Sequence, residues 1–158
     1  MNDTLRALVV EDDPKYQTEH RNILEKILGA GNVDNTDNYE DAFFMAGTNN
    51  YVIYFVDGQF YKMNAHHKKR TPEDLGDKLV QELHLAKKVD YDRIFMISSS
   101  SIILGNGQKL GVTHVYNKLY EMFLPVQVVG QKNINDLESD VKSFLFAMNG
   151  NGRSKFSL

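Results

Sequence analysis

The chain has 158 residues, enough for one ordinary domain with a real core. Its 42% hydrophobic and 25% charged residues belong to a globular rather than a disordered protein, and a net charge of -3 gives no global pull toward nucleic acid or an anionic membrane. It has no cysteine, which excludes disulfides and thiolate chemistry and fits a reducing cytoplasm; no apolar run approaches the ~20 residues that span a bilayer, and nothing resembles a signal peptide.

Short apolar runs alternate with amphipathic segments. Leu5 to Val10 reads as a buried strand. Asp13 and Pro14 open a helix that runs to Leu28, with Tyr16, His20, Ile23, Leu24, Ile27 and Leu28 at helical spacing and Gly29 and Gly31 ending it. A weaker strand, Val33 to Thr36, precedes a helix from Tyr39 to Ala46. Tyr51 to Val56 is the clearest central strand, apolar throughout and rich in β-branched and aromatic residues. A long polar and basic connection follows. Its His66-His67-Lys68-Lys69-Arg70 run reads as a solvated loop, because no further metal ligands are in register with it.

Thr71-Pro72-Glu73-Asp74 reads as the start of a third helix, lined by Leu75, Leu79, Leu83 and Ala86. Arg93 to Ile97 is another buried strand. A serine-rich, glycine-bearing loop is expected from Ser99 to Gly111, then a helix over 112–123 with Val112, Val115, Leu119, Met122 and Phe123 on one face. Val126 to Val129 reads as the fifth strand, and Ile134 to Met148 as the last helix. In that helix Phe144, Phe146 and Met148 exceed what one buried stripe needs, which leaves a face for a partner or a second copy. Residues 1–148 form the domain, and 149–158 read as a flexible tail or linker.

Five apolar strands, each followed by a helix, predict an α/β fold: a five-stranded parallel sheet with helices on both faces. In such folds the chemistry lies at the carboxyl ends of the strands. There the sequence puts Glu11-Asp12-Asp13 after the first strand, Asp57 after the third, Ser98-Ser99 after the fourth and Lys132 shortly after the fifth. Grouped carboxylates repel one another, and a hard divalent cation such as Mg²⁺ relieves them. A hydroxyl and an ammonium beside such a metal can hold phosphoryl oxygens, and an aspartate that attacks phosphorus forms an acyl phosphate. Taken singly, the acidic run also reads as a strand end and helix cap, and Asp57-Gly58 as a turn.

The segments VVEDDP (9–14), YVIYFVD (51–57) and IFMISS (94–99), in this order and spacing, resemble the CheY-like receiver domains of two-component signalling over roughly residues 4–148. The resemblance implies a (βα)5 flavodoxin-like fold and a phosphoacceptor regulatory domain rather than an enzyme. Asp57 would accept a phosphoryl group from a histidine kinase or phosphotransfer protein. Asp12 would hold Mg²⁺ directly and Glu11 through water, with Asp57 and the Gln59 backbone carbonyl completing the metal site. Ser98 and Lys132 would contact the phosphoryl group, with Asp13, Ser99 and Lys118 as alternates. Lys118, in VYNK, sits at the more usual distance from Ser98, but the helical periodicity of 112–123 favours Lys132. The implied output is contact with another protein, with no nucleic acid or membrane bound by this domain.

The chain departs from the family pattern in several places. Gly58-Gln59-Phe60 stands where receivers carry Met-Pro and then a glycine, no proline follows Lys132, and Val129 takes the aromatic switch position. These departures keep open a pseudo-receiver that binds partners without phosphorylation. A Mg²⁺-dependent phosphatase is a further alternative, although Gln59 stands where such enzymes commonly need a second aspartate.

Overall fold

The computed structural model describes residues 5–66, 69–119 and 129–149. Strands β1 (Ala7–Val10), β2 (Val33–Thr36), β3 (Ile53–Asp57), β6 (Ile94–Ser98), β7 (His114–Asn117) and β8 (Gln131–Asn133) form one parallel sheet, ordered β2-β1-β3-β6-β7-β8. A small antiparallel pair, β4 (Gln59–Tyr61) and β5 (Pro72–Asp74), stands beside it. The helices are α1 (Pro14–Leu28), α2 (Tyr39–Thr48), α3 (Gly76–Lys87), α4 (Ser101–Leu110) and α5 (Leu137–Asn149). The expected architecture holds, but the sheet has six strands where five were expected.

Alternation along the central strands divides the core into two layers. Leu8, Val10, Tyr54, Val56, Ile94, Met96 and Val115 pack with Ala42, Leu79, Val80, Leu83 and Leu104 from α2, α3 and α4. Ala7, Val9, Ile53, Phe55, Phe95, Ile97 and Tyr116 pack with Leu24 and Ile27 of α1 and with Leu137, Val141 and Leu145 of α5. The central strands are thus buried on both faces, which explains their unbroken apolar sequence. The start of α1 follows its sequence signal closely: Pro14 occupies the first turn, and the Asp13 side chain accepts from the Lys15 amide at 2.9 Å.

Three sequence expectations need correction. Thr71-Pro72-Glu73-Asp74 is not a helix start. Pro72–Asp74 pairs with Gln59–Tyr61, and the helix begins at Gly76. The expected loop from Ser99 to Gly111 is mostly helix α4, capped by the Ser100 hydroxyl at the Ile103 amide and ended at Gly111, whose φ is 127°. Gly105 and Gly107 inside that helix disguise it, and Gly107 lets the helix lie close against the Met96 side chain, whose sulfur a Cβ there would displace.

The helix expected over 112–123 is contradicted in turn across its described part, because His114–Asn117 is β7, paired with Ile94–Ser98 on one side and Gln131–Asn133 on the other, while residues 120–123 lie outside the described residues. The strand read at Val126–Val129 lies outside the described residues apart from Val129, which is exposed. The tail beyond Asn149 also lies outside them. Among the described residues no helix is long and apolar enough to cross a membrane.

The β4–β5 pair is fixed tightly to the body. Gly58 O accepts from the Leu75 and Gly76 amides at 3.1 and 2.9 Å, and Arg70 reaches both oxygens of Asp37 at 3.1 and 3.0 Å while lying over the Tyr61 ring. A Cβ at Gly76 would run into the Asp57 carbonyl and Gly58 Cα. Gly76→Ala is therefore expected to destabilise the protein by about 1–3 kcal/mol through overpacking, read as a lower urea midpoint. An unchanged midpoint would refute the close approach.

Candidate functional site

Strands β1, β3, β6 and β7 lie side by side, and their carboxyl ends deliver Glu11, Asp57, Ser98 and Lys118 to one rim. Glu11, Asp12, Asp13, Tyr16, Asp57, Gln59, Ser98, Ser99, Lys118 and Leu119 line a cleft of about 290 Å³ there. Glu11 is fully buried, Asp57 and Ser98 nearly so. The Lys118 ammonium lies 2.8 Å from Glu11 Oε1 and 3.0 Å from Asp57 Oδ1, with its side chain only 8% exposed. Glu11, Asp12 and Asp57 each offer a carboxylate oxygen, all within 4.8 Å of one another.

Three carboxylates against one ammonium leave an excess of negative charge in a poorly solvated place. Burial, with the adjacent Asp57, drives the Glu11 carboxyl well above the usual range. Burial also raises the half-buried Asp12, and the charge of Asp57 adds to it. Burial alone would lower Lys118, but Asp57 and Glu11 outweigh it and hold the ammonium more firmly protonated than usual. Hard oxygen donors, close spacing and surplus charge are what a small divalent cation requires, so the residues present fit Mg²⁺.

The lysine expected at this rim was Lys132, and the structure puts Lys118 there instead. Lys132 lies on β8, with its ammonium 3.1 Å from Asp140, which also accepts from the Tyr116 hydroxyl at 2.6 Å. The error traces to the misread helix: once His114–Asn117 is a strand, Lys118 is its strand-end residue, and its amide donates to Ser98 O at 2.9 Å. Asp13 serves as the α1 cap at the cleft edge, and Ser99 is exposed there, whereas Ser98 Oγ is buried and accepts from the Ser100 amide at 3.0 Å. Gly58 is fixed by this crowding, since a Cβ on it would strike Ser98 Oγ. Tyr16 is a cleft residue that helical periodicity counted only as core-facing. Its place one turn beyond the acidic run was the available signal.

No protein-family model matches the sequence, and neither does any curated protein. Solved structures do match. A CheY-like response regulator receiver domain protein from Methanospirillum hungatei is 16% identical with a TM-score of 0.62, covering 94% of this chain and 99% of that one. The receiver domain of Francisella response regulator 1452 is 18% identical with a TM-score of 0.60, covering 91% and 98%. The response regulator TrrA from Thermotoga maritima, in complex with Mg²⁺-BeF, is 18% identical with a TM-score of 0.58, covering 89% and 98%. The chain has the receiver-domain fold. Its strand-end cleft lies where this fold class concentrates its chemistry.

Two outcomes follow from the electrostatics. Asp12→Asn removes one of three crowded carboxylates without touching the Lys118 bonds. It should stabilise the metal-free protein by about 0.5 kcal/mol, a figure kept small because Asp12 is only half buried, as read from the urea midpoint. His20 is buried against Phe55, their ring centroids 5.6 Å apart, and burial with the nearby Lys118 charge lowers its pKa from 6.5 to about 4. The unfolded chain then binds the proton that the folded one refuses. This contribution is complete near pH 4, so stability should fall by up to about 3 kcal/mol between pH 6.5 and 4. His20→Gln should flatten that part of the stability–pH curve, and an unchanged slope would count against the assignment.

Proposed function

We propose that the protein is a response-regulator receiver module that takes a phosphoryl group onto Asp57 from the phosphohistidine of a kinase or phosphotransfer protein. The observation that supports it is the meeting of Glu11, Asp12, Asp57, Ser98 and Lys118 in one cleft of a receiver fold. Asp57 Oδ attacks phosphorus while the bond to the donor nitrogen breaks, leaving an acyl phosphate on Asp57. The Lys118 ammonium, already 3.0 Å from Asp57, pairs with one phosphoryl oxygen, and the Ser98 hydroxyl, two residues from its present amide partner, donates to another.

Glu11, Asp12 and Asp57, with the Gln59 carbonyl, would hold Mg²⁺, which supplies charge neutralisation at the phosphoryl oxygens when bound. The new charge draws on Lys118 and Ser98, at the ends of β7 and β6, and so changes the partner surface around them. On this reading the module signals through protein contacts.

Two observations favour a second reading, a pseudo-receiver that binds partners without phosphate. Directly after Asp57 the chain enters the β4–β5 pair, with Gln59 bonded through its side chain to Asp74. Moreover, the third residue before Lys118 is Val115, fully buried and aliphatic, where receivers carry the aromatic switch. The phosphatase alternative is disfavoured because Gln59 has no proton to give as a general acid and its amide is engaged with Asp74.

Incubation with Mg²⁺ and a small phosphodonor such as acetyl phosphate, followed by intact mass, should show one phosphoryl adduct. The adduct should be absent in Asp57→Asn and reduced at least tenfold in Lys118→Ala, the scale of one lost charged contact of about 1.4 kcal/mol or more. No adduct with any donor would sink the phosphoacceptor reading and leave the pseudo-receiver.

A further inference from the structure

The Lys118 ammonium has three N–H donors and no acceptor. Glu11 Oε1 at 2.8 Å and Asp57 Oδ1 at 3.0 Å take two of them. The third has the face of Tyr16 within reach, its ring centroid 4.0 Å from Nζ. Such a contact gains strength where water is excluded, and the Lys118 side chain is 8% exposed.

The ring is held in place from behind. Tyr16 sits in the first turn of α1, fixed by the Asp13 cap and Pro14, and leans on His20 at 6.0 Å, which packs edge-on against Phe55 of β3. Lys15 lies 5.6 Å from the same ring, but it is exposed and farther away. A surface aromatic that merely covered core would have no reason to stand over the one ammonium in the cleft.

We propose that Tyr16 is a positioning residue: its ring pins Lys118 between Glu11 and Asp57, and so sets how strongly a divalent cation must compete for those oxygens. This rests on the receiver reading of the cleft. Lys118 and a cation bound by Glu11, Asp12 and Asp57 draw on the same carboxylates. A firmer hold on the ammonium therefore raises the cation concentration needed to fill the site. Removal of the ring should tighten metal binding, the opposite of what general damage to the cleft would do.

The test compares wild type, Tyr16→Leu, Tyr16→Met and Tyr16→Phe by NMR, with MgCl2 titrated at constant ionic strength. The two aliphatic variants should bind Mg²⁺ about threefold to tenfold more tightly than wild type. Tyr16→Phe, which keeps the ring, should stay within about twofold. Before any metal is added, the Lys118 side-chain ammonium signal should show ring-current shielding in wild type and Tyr16→Phe and lose it in the aliphatic variants. Equal or weaker Mg²⁺ binding in the aliphatic variants overturns the proposal, as does Tyr16→Phe behaving like them. Wild type that binds no Mg²⁺ overturns the metal site and the competition with it, while the metal-free ammonium signal separately decides whether Tyr16 holds Lys118.

Discussion

Glu11 and Asp57 end neighbouring parallel strands, so their carboxylates cannot avoid one another, and a lysine two strands further along lets both stay buried. The order β1-β3-β6-β7 makes that meeting obligatory. Hydrogen bonding within the sheet fixes the register of the four strands, and the register fixes which side chain stands at each end. With one ammonium for three carboxylates among the described residues, the cluster remains incompletely neutralised. Crowding of this kind works against stability, since the charge that strains the fold is the charge that can gather a cation.

Much of the surrounding architecture keeps this arrangement compact. Gly58 lets β3 turn away beneath Ser98, and Gly76 lets α3 begin against the Asp57 carbonyl, where a methyl group at either place would intrude. Phe60, fully buried, anchors the chain just past the cleft, and the Arg70–Asp37 pair ties the far end of the hairpin to the β2–α2 connection. The segment after Asp57 is thus ordered by pairing with Pro72–Asp74 rather than by the proline usual in receivers.

The parts of this fold legible in the sequence are those where one local signal acts alone. The helix from Pro14 to Leu28 has a cap, a proline and an unbroken apolar stripe, and Tyr51–Asp57 is a run that only a doubly covered strand can bury. Glu11, Asp12, Asp57 and Ser98 were readable as strand-end residues for the same reason. Lys118 was not, because two glycines hid α4 and the spacing of Val112, Val115 and Leu119 imitated a helix. Gly107 lies against Met96, a residue on another element, and no local pattern reports such a contact. The sixth strand escaped notice because Gln131-Lys132-Asn133 is polar and only three residues long, held in the sheet by its backbone.

That short strand has a bearing on where the sheet ends. Without it, the exposed margin of the sheet would be β7, whose Val115, Tyr116 and Asn117 are buried and whose backbone would offer an open row of donors and acceptors to any passing chain. β8 takes up that row and presents in its place a lysine already committed to Asp140. A charged, three-residue margin is a poor template for further strands. Lys132, set aside from the chemistry of the cleft, thereby joins the last described strand to the last helix, through Asp140, which Tyr116 of the neighbouring strand also reaches.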